Sequence, residues 1–399
     1  MSDNIFQETA LHEPTHHHGL DRPAITPLKK GVTSDTDAAA GQWTLIWHKF
    51  AKDRLAIVAG IVILSLYLIG IFAEFLAPNL AQAARPQYSY APPQTISFFV
   101  EDENGERKFL PHVKGYSVTV DQASLRRSFV VDDSKVVPIG FFVRGPEYKM
   151  WGLFPSDLHL VGPLKANDPF YLLGADKLGR DLFSRVIYGT RVSMSIGLIG
   201  VCISLILGVV MGALSGYYGG WVDLLIQRII EIISAMPTIP LWLGLAAAIP
   251  VSLAPLKVYF LITLIVSLLG WTSLAREVRG RFFALRGDDF VTAARLDGSN
   301  ERRIIFRHIL PSLTSHILAV VTLALPTMIV AETALSFLGV GLKPPVVSWG
   351  VLLQDAQNIR TISTAPWLLI WPAGAVVIAV LSFNFLGDGL RDAADPYDS

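Results

Sequence analysis

The chain has 399 residues, 33 basic and 33 acidic side chains, and 52% hydrophobic residues; only 17% are charged, against roughly 25% in soluble domains. Its mean hydropathy is +0.46, which excludes a disordered polar chain. The single cysteine, Cys202, excludes an intrachain disulfide framework and any cysteine-rich metal site, and zero net charge gives no sign of a nucleic-acid binder.

Residues 1–40 are polar and broken by proline, without the pattern of a signal peptide. They are expected to form a flexible cytoplasmic tail, and its His12, His16, His17 and His18 form no complete ligand set. In 41–54, Trp43, Ile46, Trp47 and Phe50 recur at helical spacing beside His48, Lys49 and Lys52. That pattern predicts an interfacial helix. A first transmembrane helix follows over 55–77, the first of six stretches that lack charge: 55–73, 192–222, 232–256, 258–275, 309–331 and 361–387. Each approaches the roughly 20 apolar residues that a bilayer requires. Pro250, Pro255 and Lys257 divide the third from the fourth, so the two form a hairpin. Pro237, Pro240, Pro326 and Pro372 are tolerable inside spans because neighbouring groups can satisfy the freed carbonyls.

Six spans place both termini on one side, and His48, Lys49, Lys52 and Arg54 mark that side as cytoplasmic. Residues 78–190 then form a periplasmic insert, 191–390 a core of five helices, and 391–399 a cytoplasmic tail. Alternation over 116–120, 128–131 and 136–143, punctuated by Gly115, Gly140, Gly145 and Pro146, predicts strands in the insert. Tyr148, Trp151 and Phe154 are its expected core. Near the end of the insert, Gly174-x4-Gly179 begins like a phosphate-binding loop, but Arg180 and Asp181 stand where Lys and Ser/Thr are required. Arg180, Asp181 and Arg185 are therefore expected to make a capped, charged start to the second span.

That span carries Gly200, Ser204, Gly208, Gly212 and Gly216, a small residue at every fourth position. Such a face admits a close helix neighbour, either in this chain or in another subunit. Asp223, Arg228 and Glu231 follow, where mutual pairing and head-group contact account for them. The loop over 276–311 holds Arg276, Arg279, Arg281, Arg286, Arg295, Arg302, Arg303 and Arg307, whereas the short loop before the last span offers Lys343 and Arg360. Asp288 or Asp289 can cap a short helix through Leu296, Gly298 can end it in a left-handed conformation, and Ser299 with Arg302 can start a second that runs into Pro311. Ala293 and Ala294 permit close approach. A solvated amphipathic loop and a docking surface for a polar partner both fit. Glu332, at the outer end of the fifth span, is an ionisable group near membrane depth and hence a functional candidate. It can line an outer gate or pathway, or pair with Lys343 or Arg360 in an interfacial structural role. Trp349, Trp367 and Trp371 read as interface anchors.

The run Thr292-Ala293-Ala294-x3-Gly298-x9-His308-Ile309-Leu310-Pro311 resembles the EAA loop of ATP-binding cassette (ABC) importer permeases, with Thr292 in place of Glu and His308 in place of Ile. Three further stretches are similar to the oligopeptide/dipeptide branch of that family. They are 173–181 with Ser184, Arg185, Gly189, Arg191 and Ser193; Glu332-x2-Leu335-Ser336-Phe337-Leu338-Gly339; and 384–392 followed by Asp395-Pro396. The resemblance implies an all-α polytopic membrane protein with six transmembrane helices of the type I ABC importer permease fold, plus a small β-rich extracytoplasmic insert. It also implies a bacterial inner-membrane importer of oligopeptides, dipeptides or similar solutes. Its expected partners are a second, related permease, two ABC ATPase subunits, a periplasmic solute-binding protein and the lipid bilayer. ATP and Mg would bind the ATPases, with no cofactor or metal in this chain, no catalytic residues and no nucleic acid. By the same resemblance the EAA-like loop is the coupling helix: Thr292, Ala293 and Ala294 supply its packed face, Gly298 its turn, and Arg295, Asp297, Glu301 and Arg302 its polar rim. The alternative is an ion-coupled carrier acting alone, which calls for ionisable groups at the midplane of broken helices; the six spans hold no Asp, Glu, Lys or Arg there. An intramembrane enzyme needs a nucleophile–base pair, and neither His316 nor the span serines offer one by spacing.

Overall fold

The computed structural model describes residues 42–101, 107–120, 127–166, 168–250 and 252–394. The expected tail at 1–40 with its histidines, and residues 395–399, lie outside them. The chain divides into units 1–45 and 46–399, and of the first only the opening residues of α1 (Gln42–Phe50) are described. Asp53 starts α2 (Arg54–Ile71) by accepting the amides of Leu55 and Ala56 at 2.9 and 3.2 Å, which satisfies donors that a helix start leaves free. With 18 residues α2 extends about 27 Å, close to the hydrocarbon thickness of a bilayer. A single turn, α3 (Ala73–Leu76), follows.

A four-stranded antiparallel sheet comes next: β1 (Ile96–Glu101), β2 (Arg107–Val120), β3 (Arg127–Met150) and β4 (Phe154–Pro163), in that order. The 24-residue β3 pairs with β2 over its first half (Tyr116 opposite Val131) and with β4 over its second (Phe141 opposite Val161). Val113, Val137 and Phe170 pack under one part of the sheet, and Ala91, Tyr116, Tyr171 and Ala175 under another. Of the expected core trio only Tyr148 is buried, its hydroxyl donating to the Leu158 carbonyl at 2.7 Å. Trp151 and Phe154 are 60% and 68% exposed. They stand on the tight turn from β3 to β4, where Trp151 and Gly152 take φ of 56° and 74° and carry the chain past the sheet's edge.

The second long helix, α4 (Leu182–Tyr218), starts nine residues before the boundary expected at 191. Its cap sets the start: the Asp181 carboxylate accepts the amides of Phe183 and Ser184 at 3.2 and 3.0 Å. Gly219, at φ 65°, then turns the chain into α5 (Gly220–Ala235). Met236 and Pro237 break it from α6 (Thr238–Ala247), and α5 and α6 meet at 87°. The span expected at 232–256 is thus a bent pair that runs from Gly220 to Ala247, because Pro237 cannot donate into the helical ladder. Next come α7 (Pro255–Leu285), α8 (Asp289–Leu296), α9 (Glu301–Arg303), a π-helical turn (Ile304–Ile309) and α10 (Leu310–Ser312). The chain closes with α11 (Thr314–Phe337), α12 (Trp349–Gln354), α13 (Ile359–Thr364) and α14 (Trp367–Ala394). Among the described residues α2, α4, α7, α11 and α14 are long and apolar enough to cross a membrane, and the bent α5–α6 pair passes the same test jointly.

The small-residue face of α4 lies against α7 of the same chain. A Cβ on Gly212 would stand 2.6 Å from the Ala275 carbonyl, one on Gly216 2.5 Å from Phe282 Cβ, and one on Gly208 2.8 Å from the Leu274 side chain. Gly200 faces Ser267 Oγ, and Ser204 Oγ donates to the Ser267 carbonyl at 2.9 Å. Of the two neighbours open to this face, α7 occupies it. Gly212→Val should therefore lower the thermal stability of the purified protein by about 1–3 kcal/mol. Gly280→Ala, on α7 where an added Cβ meets nothing within 4 Å, should be neutral or stabilising by up to about 1 kcal/mol. Thermal unfolding in detergent distinguishes the two, and equal melting temperatures would show that the contact carries no weight.

Candidate functional site

Two constellations stand out, at opposite ends of the long helices. The first is the loop after α7. The Asp288 carbonyl accepts the Thr292 amide at 3.0 Å, while its carboxylate makes no capping bond. α8 ends as the amides of Gly298 and Ser299 turn back to the carbonyls of Arg295 and Ala294 at 3.1 and 3.0 Å, with Gly298 at φ 77°. This geometry satisfies the terminal carbonyls and favours glycine at the left-handed position. Asn300, not Ser299, caps the next helix, its side chain accepting the Arg303 amide at 2.9 Å. The reason is register: Asn300 lies one residue before the first helical position, where a short acceptor reaches back into the turn.

The apolar side of this loop belongs to the chain itself. Val291, Ala294, Ile304, Ile305 and Ile309 pack with Leu274, Val278 and Phe282 of α7 and Ala213 of α4. Ala294 is consequently turned inward, whereas Thr292, Ala293, Arg295, Asp297, Gly298 and Arg302 are exposed. Glu301 is exposed too and accepts from the Tyr218 hydroxyl at 2.9 Å. The sequence reading missed Leu296, 85% exposed, and Phe290, 40% exposed. Their signal was present: two large apolar residues on a short helix whose inward positions Val291 and Ala294 already fill. The loop's base is fixed by Arg279, which donates from Nε and Nη2 to Asp223 of α5 at 2.5 and 2.6 Å; Ser215 Oγ donates to the same carboxylate.

At the other end Glu332 is fully buried. Three hydroxyls surround its carboxylate: Ser336 and Ser348 donate to Oε1 at 2.8 and 2.7 Å, and Ser193 to Oε2 at 3.3 Å. Each hydroxyl also accepts a backbone amide, from Leu342, Val351 and Trp349 respectively, at 3.0, 3.2 and 3.1 Å. The cage therefore ties α4, α11, the loop after α11 and the start of α12. Lys343 is not among these partners, and the Arg360 side chain lies outside the described residues; the carboxylate sits in a buried hub of hydroxyls. Trp349 is likewise no interface anchor: it is fully buried, and its indole nitrogen donates to the Val186 carbonyl at 3.3 Å. It fills the space left by Gly189, where a Cβ would stand 3.1 Å from the Trp349 ring. Trp367 is half-buried and donates to the Ala175 carbonyl at 3.1 Å, while Trp371 is exposed.

Beside this hub lies a charged knot. Asp176 accepts from Arg180 Nε at 2.6 Å and from Arg185, and Asp355 accepts from Lys177 at 2.8 Å with Arg185 at 3.5 Å. Asp176, Arg180 and Arg185 are all buried. Serving as capping and pairing groups, these residues fasten the loop before α4 to the end of α12. Sequence reading singled out Arg180, Asp181 and Arg185 but assigned no part to Asp176 or Asp355.

Together the long apolar helices, the buried polar hub and the exposed charged loop define a multi-pass membrane protein. A model of the binding-protein-dependent transport system inner membrane component matches residues 205–397, and one of the N-terminal transmembrane domain of oligopeptide transport permease C matches 41–93. The dipeptide transport system permease protein DppC of Alkalihalophilus pseudofirmus is 30% identical over 376 residues, 94% of this chain and 97% of that protein. The glutathione transport system permease protein GsiD of Pectobacterium atrosepticum is 30% identical over 354 residues, 89% of this chain and 91% of that one. The oligopeptide transport system permease protein OppC of Haemophilus influenzae is 37% identical over 243 residues, 61% and 76% of the two chains. The chain belongs to the binding-protein-dependent transport system inner membrane component family.

Glu332→Ala removes the shared acceptor of three buried hydroxyls and should destabilise the purified protein by about 1–3 kcal/mol for each hydroxyl left unpaired. Glu332→Gln keeps an acceptor and should cost clearly less. Thermal unfolding in detergent measures both, and equal losses would show that the carboxyl group does not organise the hub.

Proposed function

We propose that the chain is the permease subunit of an ATP-driven ABC importer, moving oligopeptides, dipeptides or a similar solute across a bacterial inner membrane. Likeness to a dipeptide permease along 97% of that protein's length carries this reading. The α5–α6 pair counts as one bent span, giving six, with both termini in the cytoplasm and the β-sheet outside. A solute-binding protein delivers the substrate at the sheet side, and a second, related permease completes the pathway. Two separate ATPase subunits bind ATP and Mg; this chain carries no catalytic group. An ion-coupled carrier working alone is not favoured, since the one buried acid in α11, Glu332, sits near that helix's end among serines.

In this reading α8 is the element that meets an ATPase. Thr292, Ala293, Arg295 and Asp297 offer an exposed small and polar face, and Leu296 with Phe290 adds an apolar knob. Arg302 and Glu301 form the rim, the latter braced by Tyr218. A groove closing on nucleotide would drag α8, and through its packed inner side move α7 and α4 between two states of the bundle, a rigid-body switch driven by differential binding.

Co-expression with the neighbouring coding sequences should yield a complex containing two ATPase chains, and transport should be inhibited by vanadate. Uptake by this chain alone, insensitive to vanadate, would overturn the proposal. Gly298→Leu forces a branched side chain into a left-handed position, costing about 1–2 kcal/mol at that turn. Membrane insertion should remain intact while ATP hydrolysis proceeds without uptake. Normal uptake by a correctly assembled Gly298→Leu complex would contradict the assignment of α8.

A further inference from the structure

We propose that the turn between β3 and β4, residues 150–154, inserts into the lipid leaflet at the Ile71 end of α2. Its residues are Met150, Trp151, Gly152, Leu153 and Phe154, and the proposal rests only on α2 as a spanning helix. Trp151, Leu153 and Phe154 are 60%, 73% and 68% exposed, although each is large and apolar. The sheet's own packing uses none of them.

The location of this turn identifies what covers it. Trp151 Nε1 donates at 2.9 Å to the carbonyl of Ile71, the last residue of α2. A helix end leaves that carbonyl without an intrahelical partner; it accepts from Arg191 Nη2 at 3.1 Å as well, and the indole bond holds the ring level with the final turn of an 18-residue apolar helix. Met150 borders an apolar groove with Leu68, Ile69, Phe72, Phe75 and Leu76, and the rings of Phe142 and Phe75 lie 6.2 Å apart. Leu64 and Leu68 on α2 and Phe72 just after it are 60%, 45% and 43% exposed, a surface that faces hydrocarbon in a spanning helix. The turn extends this surface, with the Glu74–Arg191 ion pair at their junction: Arg191 donates to the Gly70 carbonyl at 2.7 Å and to Glu74. Exposed Lys149 precedes Met150, so the hairpin presents a charge above an aromatic and apolar tip. An indole with one apolar body and one hydrogen-bonding edge suits the boundary between head groups and acyl chains. A soluble protein approaching the sheet from water would not reach a tip held at that depth; lipid would.

Spin labels test the depth directly in the assembled importer, reconstituted in nanodiscs of phosphatidylethanolamine and phosphatidylglycerol. Cys202→Ser removes the native thiol, and single cysteines replace Leu153 on the turn, Leu64 on α2 and Val130 on the sheet. Power saturation with oxygen and with a water-soluble nickel chelate then compares them. The label at 153 should match that at 64, with nickel accessibility several-fold below that at 130 and oxygen accessibility above it. Nickel accessibility at 153 equal to that at 130, with 64 still shielded, overturns the proposal while leaving α2 as a span. Shielding of 153 that appears only after a solute-binding protein is added assigns the turn to a protein and overturns it too. Where Leu153→Cys fails to assemble, Phe154→Cys gives the same comparison. Both readouts are independent of ATP-driven uptake, so the function proposed above stands or falls separately.

Discussion

Gly200, Ser204, Gly208, Gly212 and Gly216 leave α4 and α7 almost no side chain between their backbones. Lipid tails are as apolar as leucine, so helices inside a bilayer gain little from hiding hydrocarbon from water; close van der Waals contact and interhelical hydrogen bonds hold them instead. Here the carbonyls of Ala275 and Arg279 lie where Cβ atoms on Gly212 and Gly216 would sit. Ser204 adds a hydrogen bond to the Ser267 carbonyl. The remaining elements take their positions from this pair. α5 is tied back to it by Asp223 and Arg279, and the inner side of α8 rests on Val278 and Phe282.

Both polar constellations are anchored at the ends of the same contact. At one end α8 is packed inward through Val291 and Ala294, which leaves Ala293 and Leu296 free to meet another chain. At the other, Ser193 on α4 reaches the Glu332 carboxylate, and the hydroxyls around that carboxylate hold the amides of Leu342, Trp349 and Val351. A buried acid in such a setting is expensive unless its acceptor capacity is used, and three donors use it. Movement of the α4–α7 pair would therefore be felt by α11 and α12 through hydrogen bonds of fixed direction rather than through soft hydrophobic contact.

The long helices were legible in the sequence because a bilayer admits few charges, so the stretches without them trace the spans. The turn at Gly298 was legible because one backbone conformation there strongly favours glycine. The Glu332 hub was not: its donors are serines distributed over three segments, and nothing local marks a serine as a partner for a distant carboxylate. Trp349 misled for a related reason, since tryptophans near span ends suit interfaces in general and only tertiary contact reveals that Gly189 opens a space for this one. Alternation marked the middle of the sheet but not β1 or β4. The aromatic residues at the β3–β4 turn resembled a core because composition alone does not distinguish a protein interior from a lipid-facing tip.

The rigidity of the α4–α7 pair is open to a direct measurement. A Cβ at Gly270 would lie 3.6 Å from Ser204 Cβ, within the separation a disulfide spans. In a Cys202→Ser background, Ser204→Cys combined with Gly270→Cys would lock the two helices under oxidation and release them under reduction. ATP-driven uptake by the assembled transporter should then be the same in both redox states, because helices that move as one body lose nothing by being joined. Uptake that stops on oxidation and returns on reduction would show that α4 and α7 part during transport and would contradict the rigid pair.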